Sequence, residues 1–232
     1  IGVIVNEAGA IDVDGAVLAT SRSGLALASL PNGCICCTPG NDLAEAVGAL
    51  MDARAATSAS PLRRIVLETS GLAHPAPILR SLVAMAAHNF RLRIICTYDA
   101  PSGLLGAAEF TSAAAQMAAA QAVVATKIDL ANQGNLARLD REVAQINPTA
   151  ERIVLADRAA RAAAAFARPG LPIGKRSFFQ AEAVEAHPRV RTYLAQWSER
   201  PNWHDVSDWL DEVSATAGDR LLRIKGLIDV RD

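Results

Sequence analysis

Short apolar runs recur along the chain, set apart by longer segments rich in helix-forming residues. Ile1–Val5 (IGVIV), Arg64–Glu68 (RIVLE), Leu92–Tyr98 (LRIICTY), Ala122–Thr126 (AVVAT) and Arg152–Leu155 (RIVL) are largely apolar and do not alternate with polar residues. That pattern predicts strands covered on both faces. Between them, helices are predicted over Asn41–Ala55, Pro77–Ala87, Thr111–Ala120 and Leu136–Ile146. Asp42 and Glu45 fall in the first turn of the first helix, where carboxylates complement the helix dipole. Regular alternation of strand and helix predicts an α/β fold, a doubly wound parallel sheet. Ligands of such sheets bind beyond the carboxyl ends of the strands.

The pattern changes twice toward the C-terminus. Residues 1–156 read as one nucleotide-binding-type domain. Residues 157–201 carry an Ala/Arg-rich helix, Pro169-Gly170 and mixed polar sequence, and read as a bridging segment. Residues 202–232 read as the beginning of a smaller α+β domain, with a helix over DVSDWLDEV and a strand or strand pair over DRLLRIKGLIDV. Ile1 opens directly on an apolar run and Gly226–Asp232 resembles the start of a strand, so the chain is read as a piece of a longer protein. The sheet edge beside Ile1–Val5 is then expected to lie open.

Composition narrows the class of ligand. Hydrophobic residues make up 51% of the 232 residues, enough for a sizeable core, while aromatics are only 4% and the net charge is −1. Neither a stacking platform nor a basic stripe is present, so nucleic acid is not expected as a ligand. No apolar run reaches the roughly 18 residues of a membrane span. Three of the four Cys lie within Cys34–Cys37. A disulfide framework would be more dispersed, so the cluster points to a reducing, cytoplasmic setting and to metal or redox chemistry.

The chemistry-bearing residues fall mainly at strand ends. Asn32-Gly33-Cys34-Ile35-Cys36-Cys37 offers three soft thiolates in a short loop, suited to zinc and related ions. Three thiols leave a fourth position open, as suits a metal that must later depart. A Cys34/Cys37 redox pair and incidental thiols are the alternatives. Glu68-Thr69-Ser70-Gly71 follows the second strand, where an acidic residue is placed to hold a Mg²⁺-bound water. Gly71 is placed to turn its N–H toward a γ-phosphate, an ordinary turn being the alternative. Thr126-Lys127-Ile128-Asp129 follows the fourth strand. The Asp129 carboxylate suits the N1–H and exocyclic amine of guanine and the Lys127 stem suits the base plane, with a helix cap at Asp129 as the alternative. Glu7 ends the first strand and Asp99 the third; Asp99 is equally a cap candidate. Cys96 lies mid-strand and reads as a buried apolar filler. Gly170–Ser177 (GLPIGKRS) mimics a phosphate-binding loop but has three residues between its glycines and Arg176 after Lys175, so it is rejected.

Taken in order, these pieces resemble the CobW-type metallochaperone GTPases, relatives of the nickel-delivery GTPases of urease and hydrogenase. The match is carried by Val5-Asn6-Glu7-Ala8-Gly9 and Leu30-Pro31-Asn32-Gly33-Cys34-Ile35-Cys36-Cys37-Thr38. Glu68-Thr69-Ser70-Gly71-Leu72-Ala73-His74-Pro75, Asp99-Ala100, Thr126-Lys127-Ile128-Asp129-Leu130, Asn147-Pro148 and Arg223-Ile224-Lys225-Gly226 continue it. The resemblance implies a fold of the P-loop GTPase type and a GTP-dependent metal chaperone that delivers a divalent metal to a client metalloenzyme or metal-insertion complex. Cys34, Cys36 and Cys37 would hold that metal, Zn²⁺ or Co²⁺, with Ni²⁺ as a further choice. Glu68 and Gly71 would form the Mg²⁺ and γ-phosphate switch, Thr126, Lys127 and Asp129 would contact the guanine of GTP, and Glu7 would lie near the Mg²⁺. The sequence departs from the family in four ways, one being Ala8 and Ala10 where aromatic and acidic residues usually flank Gly9. A phosphate-binding loop is absent and would precede Ile1 by roughly 20–30 residues. Thr126 stands where Asn is usual, and no His-rich loop occurs. Residues 1–232 alone are therefore expected to be inactive toward GTP. A non-hydrolysing metal-binding module is the alternative, and a C-x-x-C redox protein a more distant one.

Overall fold

The computed structural model describes residues 1–6, 26–29, 42–56, 60–69, 71, 73–83, 85, 90–104, 110–167, 193, 195–224, 226 and 228–231. The chain divides into two compact units, Ile1–Leu92 and Arg93–Asp232.

In the first unit, strand β1 (Gly2–Asn6), strand β2 (Ala26–Ser29), helix α1 (Asp42–Ala56), strand β3 (Ile65–Thr69) and helix α2 (Pro75–Val83) follow in order. The sheet is parallel with order β2-β1-β3. β1 is thus paired on both sides, and the edge expected to lie open beside Ile1–Val5 is occupied by β2. That strand (ALAS) is short, with no β-branched or aromatic side chain to mark it. Ile4 is fully buried among Leu43, Val47 and Leu50 of α1 and Ile78 of α2. Burying such a side chain contributes about 1.5–3 kcal/mol. At Gly2 a Cβ would stand 3.2 Å from Leu62 and 3.4 Å from Leu50, so the helix packs almost onto the strand backbone. α2 starts at Pro75, two residues before the predicted Pro77, because proline suits the first helical position.

The second unit contains β4 (Ile95–Asp99), α3 (Phe110–Ala119), β5 (Ala122–Thr126), a 3₁₀ turn (Ile128–Leu130), α4 (Gln133–Ile146), β6 (Glu151–Ile153), α5 (Arg158–Phe166), α6 (Trp203–Ala217) and a second 3₁₀ turn (Gly218–Arg220). Its sheet is parallel with order β4-β5-β6. Along β5, Val123 and Ala125 pack with Phe110 and Met117 of α3 and Leu139 and Val143 of α4. Ala122 and Val124 pack with Ile153 and with Ala165 of α5. Successive strand residues point to opposite faces, so helices cover both faces, as in a doubly wound α/β sheet. α4 starts three residues before the predicted Leu136. Asn132 and Asn135 each bond the other's backbone N–H, a reciprocal cap that fixes the start there.

The C-terminal helix is present as α6, capped by Asn202, with Trp209 edge-on to Trp197 at 5.0 Å between ring centres. Among the described residues the strand predicted after it is not formed. Residues 221–224, 226 and 228–230 have no regular structure, and Arg231 makes a single bridge to Asn202. Arg223 instead turns onto the C-terminus of α3, where its guanidinium donates to the carbonyls of Ala118 and Ala120. The same end receives the buried Asn147 side chain, whose amide donates to Met117, Ala118 and Ala120 at 2.9, 3.2 and 2.7 Å. Two side chains thus satisfy carbonyls that a helix end leaves without partners. Among the described residues no helix is long and apolar enough to cross a membrane.

Candidate functional site

In the first unit the candidate residues follow β3. The parallel register sets Val5 beside Glu68 and Asn6 beside Thr69, so the carboxyl ends of β1 and β3 are level. Glu68 is exposed, and its carboxylate takes no hydrogen bond or ion pair among the described residues. Gly71 lies in a turn two residues past the strand and is exposed. No described atom lies within 4 Å of where a Cβ would stand on Gly71. His74, just before α2, is exposed as well.

In the second unit the candidates sit at the carboxyl ends of β4 and β5, where Asp99 is registered against Thr126. Lys127 leaves β5 in the left-handed region, at φ 52° and ψ 37°, a conformation uncommon for a residue with a Cβ. Its Nζ lies 2.6 Å from Asp99 Oδ2. The other Asp99 oxygen accepts the Ser102 N–H at 3.0 Å. The Lys127 ammonium, followed by the Ser102 N–H, holds the Asp99 carboxyl below the ordinary carboxylate range. Both side chains are partly exposed (58% and 32%), so the pair contributes only about 0.2–1 kcal/mol to stability.

Thr126 is committed elsewhere: its hydroxyl donates to the Tyr98 carbonyl at 3.0 Å and ties the ends of β4 and β5 together. Asp129 lies inside the 3₁₀ turn, exposed and without a hydrogen-bond partner among the described residues. The cap position of that turn belongs to Lys127 and the cap of α4 to Asn132, so Asp129 caps neither. Leu130, beside it, is 70% exposed.

The loop after β4 is fastened from α4. Arg138 donates to the carbonyls of Ala100 and Pro101 at 3.0 and 2.7 Å, and Asn135 adds a longer bond to Pro101 at 3.4 Å. Glu142, 3% exposed, accepts from the Tyr98 hydroxyl at 2.8 Å and from the Leu104 N–H at 3.2 Å. Burial, reinforced by that carboxylate, pushes the Tyr98 hydroxyl's pKa up and keeps it a donor. Gly103 sits at φ +68°, and a Cβ there would lie 2.5 Å from Arg138 Nε. Backbone conformation and the Arg138 guanidinium both demand glycine.

Cys96, expected as a buried filler, is half-buried, and its thiol donates to the Thr97 carbonyl at 3.5 Å. It packs against the core, and burial pushes its thiol up to about 11. Glu7, Cys34, Cys36, Cys37 and the segment Gly170–Ser177 lie outside the described residues. Among the described residues no group of three or more His, Cys, Asp or Glu side chains could hold a metal ion. Sequence reasoning raised Asp99 only as a possible cap and missed its hold on Lys127. The available signal was topological: an acid and a base at the carboxyl ends of two strands that neighbour each other in the sheet.

A model of the CobW/HypB/UreG nucleotide-binding domain matches residues 1–154. The chain is 31% identical over 153 residues to the zinc chaperone YjiA of Escherichia coli, covering 65% of this chain and 46% of that protein. It is 36% identical over 131 residues to the zinc chaperone YeiR of the same organism (55% and 37% covered), and 28% identical over 194 residues to the zinc chaperone CobW of Pseudomonas aeruginosa (68% and 49%). The chain thus spans about half or less of the length of these curated relatives. The crystal structure of Zn(II)-bound YjiA GTPase from E. coli is similar in fold. Its TM-score is 0.55 at 17% identity, covering 94% of this chain and 70% of the other.

Proposed function

The chain belongs to the CobW/HypB/UreG nucleotide-binding-domain family, and from that premise we propose that it is part of a GTP-dependent zinc chaperone. Guanine is read by Asp129, whose carboxylate can accept both the N1–H and the exocyclic amine, with the Lys127 stem along the base. Thr126 supports the reading loop through its bond to Tyr98 and makes no base contact, which leaves base choice to Asp129. The observation that carries this reading is Asp129 itself. It is an exposed carboxylate that caps nothing and takes no partner among the described residues, one turn beyond the central strand of its sheet.

Glu68, whose carboxylate takes no partner among the described residues, offers a hard oxygen of the kind Mg²⁺ prefers and with Glu7 would hold that ion, which would neutralise phosphate charge. Gly71 would direct its N–H to the γ-phosphate, so that loss of that phosphate releases the turn. Cys34, Cys36 and Cys37 would hold the metal as cargo and hand it to a client metalloenzyme when the nucleotide state changes. The names of the relatives favour zinc over cobalt or nickel. Thiolate ligation needs a reducing compartment, which favours the cytoplasm.

The test is guanine selectivity in a protein extended upstream to include a phosphate-binding loop. Asp129→Asn should weaken GTP about 5- to 100-fold while ATP changes less than twofold, since a mismatched buried hydrogen bond costs about 1–3 kcal/mol. Residues 1–232 alone should show no GTP turnover, because nothing in the sequence cradles the β- and γ-phosphates. Equal loss of GTP and ATP would overturn the guanine-reading role of Asp129, and ordinary turnover by residues 1–232 would show that the phosphate site is built from other residues of this sequence.

A further inference from the structure

We propose that Asp99 is a positioning residue for base recognition, acting on Asp129 through Lys127. The inference rests on the guanine-reading role given to Asp129 above. The chain reaches Asp129 through a single left-handed residue that is not glycine, Lys127 at φ 52°. A residue with a Cβ returns readily to an ordinary conformation unless something holds it. The Lys127 carbonyl accepts the Leu130 N–H at 3.0 Å, and its side chain is held by the 2.6 Å contact from Lys127 Nζ to Asp99 Oδ2. Asp99 is itself held: its second oxygen is bonded to the Ser102 N–H, and its strand end is tied to β5 by the Thr126–Tyr98 bond.

The platform beneath Asp99 is rigid. Arg138 binds the two carbonyls that follow Asp99, Glu142 binds the N–H of Leu104, and Gly103 leaves the space that Arg138 fills. Helix α4 therefore sets the loop, the loop sets Asp99, Asp99 sets the Lys127 side chain, and Lys127 fixes the turn that presents Asp129. An exposed ion pair adds little to folding stability, so the consequence of the contact falls on the orientation of Asp129. The order of residues also explains why the lysine precedes the carboxylate by two positions. The left-handed residue reverses the chain, and its long side chain reaches back to the neighbouring strand while the next turn carries Asp129 outward.

The experiment compares GTP with ITP, which lacks the exocyclic amine, in the upstream-extended protein. Asp99→Asn should reduce GTP affinity about 3- to 10-fold and shrink the GTP/ITP ratio by a similar factor, with the melting temperature unchanged within 2 °C. Asp99→Glu, which keeps the carboxylate, should recover at least half of the ratio. On a Lys127→Met background, Asp99→Asn should add nothing further, since its only route is through that lysine. A GTP/ITP ratio unchanged in Asp99→Asn, or a full additional loss on the Lys127→Met background, would overturn the proposal. Asp129→Asn run alongside separates the two claims. If it too leaves the ratio unchanged, the guanine-reading role fails. If it collapses the ratio while Asp99→Asn does not, only the positioning role fails.

Discussion

Replacing Asn147 by Ala tests how the end of α3 is held. Asn147 is 3% exposed, and its amide reaches three carbonyls, those of Met117, Ala118 and Ala120. Its Oδ1 accepts the Thr149 hydroxyl at 3.0 Å. Removing the amide does not orphan the carbonyls: Arg223 still serves Ala118 and Ala120, and the Ala120 N–H still serves Met117. The loss is therefore that of hydrogen bonds at their net worth, about 0.5–1.5 kcal/mol each, or about 2–3 kcal/mol in all. Arg223→Ala should cost about 1–2 kcal/mol, since Asn147 still covers the same oxygens. In the double variant the carbonyls of Ala118 and Ala120 lose both side-chain donors and incur about 1–3 kcal/mol each of desolvation. The combined cost should therefore exceed the sum of the singles by at least about 1 kcal/mol. Asn147→Asp should be worse than Ala, because it aims carboxylate oxygens at carbonyl oxygens. Urea melts followed by circular dichroism and by the fluorescence of Trp197, Trp203 and Trp209 would measure these terms. Additivity within about 0.3 kcal/mol, or an Asp variant no worse than Ala, would refute the account of two overlapping donors.

Cys36→Ala in the longer protein should weaken Zn²⁺ binding by about tenfold or more, read by competition with a chromogenic chelator. Retained affinity after all three of Cys34, Cys36 and Cys37 are changed would remove the metal site. Cys96, its thiol pushed up to about 11, should resist iodoacetamide at pH 8 in the folded chain and react in urea; equal labelling in both would show that its thiol is not shielded. Asp99, whose folded-state pKa is lowered, adds stability above the ordinary carboxylate pKa and loses it as pH falls through the lowered value. Its ¹³C carboxyl resonance should therefore titrate below about 3.9 and move up in Lys127→Met; an unmoved midpoint would exclude the pair as the cause.

Much of the framework was legible because most of the strands are largely apolar: β5 was placed to the residue, β1 and β3 to within one, and β4 and β6 to within three at either end. The errors have physical sources. β2 is four residues without a β-branched or aromatic side chain, whose strand character comes from its neighbour β1, and pairing is not visible in composition. The start of α4 depends on two asparagines bonding each other's backbone, and that of α2 on proline at its first position. The C-terminal run looked like a strand by its alternation, yet a strand needs a partner. Arg223 found two carbonyls about a hundred residues earlier instead. At the candidate site, Asp129 was singled out from residue type and spacing. The Asp99–Lys127 contact was not, since it joins positions 28 residues apart that only the sheet register brings together. Leu139, Val143 and Ile146 mark the buried face of α4, but the face that fastens the loop through Arg138 and Asn135 reads in sequence as an ordinary polar surface.

The two donors at the end of α3 leave the ribosome at different times. Asn147 is made about 30 residues after the carbonyls it serves, whereas Arg223 follows them by 105 residues. At roughly 5–20 residues per second, some 4–15 seconds of synthesis separate the two. During that interval α3 and the β5 strand behind it are closed by asparagine alone, and the late-arriving arginine seals a joint that has already formed. A nascent chain stalled between these points should therefore protect β5 amides from exchange, and one carrying Asn147→Ala should not until residue 223 has cleared the exit tunnel.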